Sequence, residues 1–249
     1  MQLLVPLMAA RPGAVTTPLP THCPGCKEQL DPLLYHSLAC KVLQHGRVFK
    51  HDKIRDSLVE QAHAARLHVL REPVIAPGFY DLKGKLPASE RSYIRADLAL
   101  AGTATLDTII DVSVAYVTPP SGSPAPQTER GIGYFALQRA NEKRAKYRRY
   151  TTMPEERFVP FTVKSMGAFG ADAVNYMKHV AAISTSDGRI DTPQFASILR
   201  RNVQQVSTAV QGGNAIGFKA FLEACREAVV AAAKVAAPPG TVVPEAEPA

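Results

Sequence analysis

The chain has 249 residues, of which 46% are hydrophobic and 20% charged, and its formal net charge is +7. This length and apolar fraction suffice for one packed domain with appendages, which excludes a wholly disordered chain. No apolar run reaches the eighteen or so residues that a membrane helix needs, and the basic balance favours an anionic partner, nucleic acid first and a membrane surface second.

The chain divides by composition into a lead-in, a Cys/His segment, a mixed core and a helical tail. The predicted segments are a Pro-rich lead-in at 1–20, a small zinc module at 21–50, the core at 51–182, helices at 183–237 and a disordered end at 238–249. We expect both ends to be irregular, because Pro-rich stretches without periodicity cannot bury enough surface to order themselves.

The core is predicted from its hydrophobic periodicity. Apolar residues at helical spacing indicate a first helix at 51–67 with Asp52 as its N-cap. The further elements are strands at 67–75, 93–100 and 106–117, a flexible loop at 118–133, a basic helix at 135–150 and a strand at 157–164. The order helix, three strands, helix, strand predicts an α/β fold with a mixed sheet.

The tail is predicted to be helical throughout. Its three helices are expected at 171–182, 192–211 and 217–236, and Gly212-Gly213-Asn214 is expected to separate the last two. The isolated Cys225 is expected to be a small core residue of the last helix.

Three of the four cysteines lie close together beside histidines. The pattern Cys23-Pro-Gly-Cys26, nine residues, His36, three residues, Cys40 supplies three thiolates and one imidazole. This is the ligand set of a closed, tetrahedral structural zinc site. His45 remains an alternative to His36, and free core cysteines remain an alternative to a metal site. A disulfide framework is the weaker explanation, so we expect a reducing, intracellular compartment.

Two aspartates interrupt predicted strands that are otherwise apolar. Asp97 lies in the second strand and Asp111 in the third. An unpaired buried carboxylate is unfavourable, whereas two acids on neighbouring strands can share a hard cation such as Mg²⁺ through oxygen ligands. The alternative is that either acid caps a strand end or pairs with Arg95 or a nearby lysine.

The basic helix after the third strand adds a third component. Lys143, Lys146 and Tyr147 share one helical face, which can lie over the two acids. Two carboxylates, a divalent cation and a lysine can cleave a phosphodiester: the metal polarises the phosphate and activates water, and the lysine orients the nucleophile or offsets developing charge. Taken alone, the helix is explained by a solvated basic face.

The order of these motifs resembles the carboxy-terminal region of site-specific non-LTR retrotransposon proteins, where a CCHC zinc knuckle precedes a restriction-like endonuclease. The resemblance covers about residues 21–182, and Gln211-Gly-Gly-Asn214 looks like part of the helical tail of such elements. The motifs that carry it are Cys-x2-Cys-x9-His-x3-Cys, Lys50-His51-Asp52-Lys53-Ile54-Arg55-Asp56, Arg71-Glu72-Pro73, Ala96-Asp97-Leu98, Asp111-Val112-Ser113-Val114 and Lys143-x2-Lys146-Tyr147.

The resemblance implies the PD-(D/E)xK nuclease fold, a restriction-endonuclease-like mixed sheet flanked by helices. Ser113 stands where the usual lysine follows the second acid, and Ala96 stands where the family usually has proline. The implied catalytic residues are Asp97, Asp111, Lys143, Lys146 and Tyr147, with the two aspartates as Mg²⁺ ligands and Glu72 as an outer metal contact. The implied DNA contacts are Lys50, His51, Lys53 and Arg55.

The sequence therefore predicts a Mg²⁺-dependent DNA endonuclease that nicks a target site, in a nuclear protein derived from a retrotransposon. We expect DNA and, as a second candidate, RNA as partners, and structural zinc in the knuckle. No reverse transcriptase segment precedes the knuckle, so we do not expect the chain to copy RNA by itself. The alternatives are a catalytically inactive, zinc-dependent nucleic-acid-binding remnant and a zinc-containing protein-interaction adaptor that uses the Ala-rich helices after residue 192.

Overall fold

A computed structural model of the chain describes residues 20–30, 35–40, 42, 45–75, 94–101, 108–116, 134–185 and 192–236. The predictions for the lead-in, for the loop at 118–133 and for the Pro-rich end lie outside the described residues. The helices are α1 (Tyr35–Ala39), α2 (His45–Ala64), α3 (Tyr134–Tyr150), α4 (Ala171–Ile183) and α5 (Pro193–Ala236). The strands are β1 (His68–Arg71), β2 (Leu98–Ala101), β3 (Thr108–Ala115) and β4 (Phe158–Lys164), with a 3₁₀ turn at Glu155–Arg157.

The four strands form one mixed sheet in the order β1-β2-β3-β4. The pairs β1–β2 and β2–β3 are antiparallel, and β3–β4 is parallel. A parallel pair needs a long crossover connection, and α3 lies in that connection. The predicted α/β class with a mixed sheet and flanking helices is confirmed.

The two faces of the sheet carry separate apolar cores, because successive strand residues point to opposite sides. Ile110 and Val112 of β3 belong to the larger core, with apolar side chains of α2, α4 and α5. Ile109 belongs to the smaller core on the other face, where it packs with Tyr147 of α3 and Phe158 of β4. Asp111 shares the alternation of Ile109, so its side chain lies on the face that α3 covers.

Helix α2 begins earlier than predicted, at His45, so the boundary expected at residue 50 falls within it. Asp52 is therefore not the N-cap; it lies inside the helix and pairs with Arg55 at 3.4 Å. The added turns pack on α5, where a Cβ on Gly46 would lie 2.4 Å from the Cα of Gly217. These turns are stabilised by α5, which is distant in sequence. The local sequence signals for a helix start therefore could not predict them.

Strand β1 is shorter than predicted and ends at Arg71. Glu72 has a positive φ of 49°, and Pro73 after it has no N–H to donate to the ladder. Pairing resumes beyond this kink as a single bridge between Val74 and Arg95.

The two helices predicted on either side of Gly212-Gly213-Asn214 are one continuous helix, α5, so the predicted break is wrong. A Cβ on Gly213 would lie 2.5 Å from the Cβ of Lys50. The glycine therefore permits close approach of α5 to α2 rather than a turn. Helix α5 also contributes Val206 and Val210 to the larger core, so this part of the predicted tail belongs to the folded core. None of the described helices is both long and apolar enough to cross a membrane.

Candidate functional site

The Cys/His segment opens with a tight turn. The Cys23 N–H donates to the Glu28 carbonyl at 2.7 Å, and the Lys27 N–H donates to the Cys23 carbonyl at 2.9 Å. Lys27 adopts a positive φ of 66°, which closes the turn. Farther along, the Cys40 N–H donates to the His36 carbonyl at 2.8 Å, so the two residues lie one helical turn apart as expected.

The four predicted ligands, Cys23, Cys26, His36 and Cys40, come together, with their ligand atoms all within 4.8 Å of one another. Cys23 Sγ lies 3.7 Å from Cys40 Sγ, and Cys26 Sγ lies 3.1 Å from His36 Nε2. Zinc–sulfur bonds of about 2.3 Å in a tetrahedron separate two sulfurs by about 3.8 Å. The Cys-His cluster can therefore hold a metal ion, and its donors suit structural zinc.

The surroundings of the cluster agree with a cation site. His36 Nδ1 lies 3.3 Å from Glu28 Oε2, an arrangement that leaves Nε2 for the cluster and orients the ring. Burial, with the neighbouring Cys23 and Cys40 thiols, raises the pKa of Cys26 to about 11. A cation would favour the thiolate form instead. The side chain of His45, the alternative ligand, lies outside the described residues.

Asp97 lies immediately before β2 and is held on several sides. Its backbone N–H donates to the Ile110 carbonyl at 3.1 Å, and its carbonyl accepts from the Glu72 N–H at 2.9 Å. Its Oδ2 accepts from the Val112 N–H at 2.6 Å and lies 3.3 Å from His51 Nε2. The backbone of the neighbouring strands thus determines where this carboxylate lies.

Asp111 lies within β3, beside Asp97, and is buried. Its Oδ2 is 2.8 Å from Lys143 Nζ, and the two aspartate carboxyls are close enough to interact directly. The prediction that the acids lie side by side is thus matched by the geometry, and the alternative pairing with a nearby lysine is realised at the same residue. We refer to Asp97, Asp111, His51 and Lys143 as the acid centre.

The two carboxyls of the acid centre have opposite pKa shifts. Burial raises the pKa of Asp111; Lys143 opposes this shift and Asp97 adds to it. Burial also acts to raise the pKa of Asp97, but the His51 ring, Asp111 and the Val112 N–H together hold that pKa below its usual value. The hydrogen bond to Asp97 raises the pKa of His51. The centre therefore combines an ionised carboxylate with one that protonates more readily.

The three residues predicted to share one face of α3 have different surroundings: two face the sheet and one faces solvent. Lys143 reaches Asp111, whereas Lys146 is exposed and lies with its Nζ 5.6 Å from the centroid of the Tyr147 ring. Tyr147 is buried, and its hydroxyl donates to the Arg95 carbonyl at 3.0 Å. Burial, followed by the charge of Asp111, strongly raises the pKa of the Tyr147 hydroxyl. Tyr147 therefore supports the segment that precedes Asp97.

The four predicted DNA contacts occupy different environments. Lys50 is 1% exposed, which contradicts a direct contact with DNA from the protein surface. His51 belongs to the acid centre, and Lys53 is exposed. Arg55 Nη1 lies 3.0 Å from Glu72 Oε1, so the carboxylate predicted as an outer metal contact is paired with an arginine.

One grouping was missed by the reasoning from sequence. Arg47 and Lys50 both contact the ring of Tyr116, the residue that follows β3. No motif or spacing joins these residues, because Tyr116 is far from α2 in the chain. Lys50 is among the DNA contacts predicted from the sequence, but no signal in the sequence joins it to Tyr116.

No protein-family model matches this sequence, and a search of curated proteins gives no significant match.

Proposed function

We propose that this protein is a Mg²⁺-dependent DNA endonuclease that nicks its target strand, with structural zinc in the Cys-His cluster. The observation that carries the proposal is the meeting of Asp97, Asp111 and Lys143 at one point of the sheet, with Lys143 Nζ 2.8 Å from Asp111 Oδ2. Each residue comes from a different element, so their convergence is a property of the whole fold.

The acid centre fits a hard divalent cation by the chemistry of its donors. Two carboxyls that interact directly in a largely buried place repel one another when both are ionised, and an added cation relieves that repulsion. A bound Mg²⁺ would polarise the scissile phosphate and lower the pKa of a water ligand. Asp97 and Asp111 are the residues that would hold it.

Lys143 is the residue that we assign to the nucleophile or to the developing charge. Its ammonium is largely buried against Asp111, where low polarity strengthens its effect on a nearby phosphate. His51 contributes from the other side, where its ring holds Asp97 Oδ2 at 3.3 Å. Lys146 is exposed to solvent and is not assigned a catalytic role.

The topology supports the finer assignment to the PD-(D/E)xK nucleases. An antiparallel β1–β2–β3 unit, a crossover helix and a parallel β4 are compatible with the fold that the sequence resemblance implies. Ser113 occupies the position of the usual lysine and is buried on the same side of β3 as Asp111. Because α3 covers that side, Lys143 can supply the amine from the helix.

The test is nicking of supercoiled plasmid by the zinc-loaded protein with Mg²⁺, with Ca²⁺ and without a divalent cation. EDTA is avoided because it would also remove zinc. We expect Mg²⁺-dependent nicking that Asp97→Asn and Asp111→Asn abolish while DNA binding is retained. Asp56→Asn is the matched control, because it removes one carboxylate from a surface pair with Arg71. Nicking that persists in both acid variants would reject the proposal.

A second candidate function is a zinc-dependent nucleic-acid-binding protein without catalysis. The observation that favours it is the Asp111–Lys143 ion pair, which already compensates the buried carboxylate without a metal. A folded protein that binds DNA but does not nick it with Mg²⁺ or Mn²⁺ would support this candidate against the endonuclease.

A further inference from the structure

Two cations at the start of α2 converge on one aromatic ring. The guanidinium carbon of Arg47 lies 5.0 Å from the centroid of the Tyr116 ring, and Lys50 Nζ lies 5.1 Å from the same centroid. Lys50 is among the largest fully buried side chains, whereas Arg47 and Tyr116 are partly exposed. The Lys50 side chain is therefore enclosed, and its ammonium lies beside the Tyr116 ring.

No acid compensates these cations within the described part of the chain. Neither Arg47 nor Lys50 forms an ion pair with a carboxylate there, and the first turn of α2 holds no acidic residue. Burial, followed by the charge of Arg47, lowers the pKa of Lys50 to about 8. At neutral pH the site therefore still carries two positive charges.

This arrangement is unfavourable for a purely structural element. A buried ammonium without a carboxylate loses its hydration, the two cations repel one another, and the N-terminal end of a helix is itself positive. Contact with an aromatic face offsets only part of these penalties. An apolar side chain in place of Lys50 would fill the same space without these penalties, so a charge at this position points to an anionic ligand.

We propose that Arg47, Lys50 and Tyr116 form a phosphate site for the nucleic-acid strand that passes through the acid centre. This inference rests on the proposed nuclease function, since it assigns a part of the same substrate. Arg47, which is partly exposed, meets the phosphodiester directly, and Lys50 supplies its charge from beneath. Tyr116 holds both cations by its ring.

The position of the site agrees with a second phosphate of one strand. Tyr116 follows β3 five residues after Asp111, which corresponds to roughly 16 Å along the strand. His51, the residue after Lys50, reaches Asp97 at 3.3 Å. Tyr116 meets α2 on the face of the sheet opposite Asp111, so the path from the phosphate site to the acid centre runs along α2, through His51 to Asp97.

The experiment measures oligonucleotide binding by fluorescence anisotropy at several salt concentrations, without Mg²⁺, in the full chain carrying Asp111→Asn. Each phosphate contact contributes about 0.7 (single strand) to 0.9 (duplex) to the slope of log affinity against log salt. We expect Arg47→Gln, which removes the direct contact, to reduce the slope by about that amount, and Lys50→Met, which removes the charge beneath it, to reduce the slope by a smaller amount. Lys178→Met removes the same charge from an exposed position on α4 and should leave the slope unchanged.

The thermal stability of Lys50→Met is a second readout. Replacing a lysine with a purely structural role should lower Tm, whereas replacing one in a phosphate site should raise it. Lys50→Met should raise Tm at pH 7 by about 2–4 °C while it weakens binding, because it removes a buried charge that no carboxylate of the described residues pairs with. A lower Tm with an unchanged salt slope would overturn the proposal. Should the Lys50 variant fail to fold, the slope of Arg47→Gln decides the question by itself.

Inorganic phosphate distinguishes a strand phosphate from a free one. If phosphate raises Tm of the wild type but not of Arg47→Gln at matched ionic strength, while the oligonucleotide slope is unchanged, the site binds free phosphate and the strand assignment is overturned. A reduced slope in a protein that does not nick would support the phosphate site and reject the nuclease. Nicking with an unchanged slope in both variants would support the nuclease and reject the phosphate site.

Discussion

The Cys-His cluster and the acid centre are both groups of polar side chains, but they are assembled in different ways. The cluster takes all four ligands from one short segment, residues 23–40. The acid centre takes its residues from α2, from the residue just before β2, from β3 and from α3. Closing a short segment orders few residues, whereas the acid centre exists only when the sheet and both helices are packed.

The two regions therefore depend on different interactions for their stability. The cluster lies outside both apolar cores, so we expect its order to depend on a metal ion. The helices and strands that supply the acid centre pack in these two cores, so the centre depends on packing. Perturbing one region should therefore leave the other largely intact, apart from the contact of α1 with α2 and α5.

The largest expected effect is that of zinc removal. Structural zinc in finger peptides contributes on the order of 10–16 kcal/mol, so a chelator should make Cys23, Cys26 and Cys40 reactive while most helix and strand is retained. Thiol titration and far-UV circular dichroism measure the two quantities. Cys225→Ser serves as the control, because Cys225 is buried in α5 and is not one of the four ligands of the cluster. Cooperative loss of all secondary structure would mean that both regions form one folding unit.

Replacing Lys143 should damage the acid centre alone. Lys143→Met should lower the nicking rate about 10²–10³-fold, the range seen when one charge-stabilising donor is removed. Lys146→Met is the matched control on the same helix and should change the rate less than about twofold. Equal losses in both variants would show that the helix carries only general affinity for DNA.

The stability of Lys143→Met should also depend on pH. The pKa of Asp111 already lies above its usual value of 3.8, and loss of the ammonium should raise it further. A carboxyl with a higher pKa in the folded protein destabilises it as pH rises above the unfolded value. Urea unfolding should therefore find the variant weaker relative to wild type at pH 7 than at pH 4. A penalty that does not change with pH would contradict the ion pair.

A smaller effect is expected at the close contact between α5 and α2, the helix that carries His51 of the acid centre. Gly213→Ala would bring a Cβ to 2.5 Å from Lys50 Cβ, and we expect destabilisation of about 1–3 kcal/mol from overpacking. Gly212→Ala meets nothing within 4 Å and should stabilise the helix by up to about 1 kcal/mol. Urea unfolding compares the two. A break in α5 at these glycines would give both substitutions the same sign.

The smallest expected effect is that of Tyr147→Phe. It removes one hydrogen bond to the Arg95 carbonyl, which contributes about 1 kcal/mol, and it keeps the ring packed 4.3 Å from that of Phe158. We expect a modest loss of stability and a nicking rate within about tenfold of wild type. A fall beyond about 10²-fold would instead assign the hydroxyl a direct role in the chemistry.

The sequence by itself determined those features that repeat over short distances. The periodicity of α3, β4 and α4 predicted their bounds to within a residue or two, and the cysteine spacing predicted the Cys-His cluster. The two aspartates were also identified, because acids among apolar strand residues need a compensating partner.

Only the tertiary structure decided which groups meet. It selected Lys143 over Lys146, enclosed Lys50 and made α5 one helix across its glycines. In each case the contact joins residues far apart in the chain. Lys143 pairs with Asp111, and Lys50 packs against α5. Propensity and spacing describe a residue's neighbours in sequence, whereas burial and close approach depend on its neighbours in space.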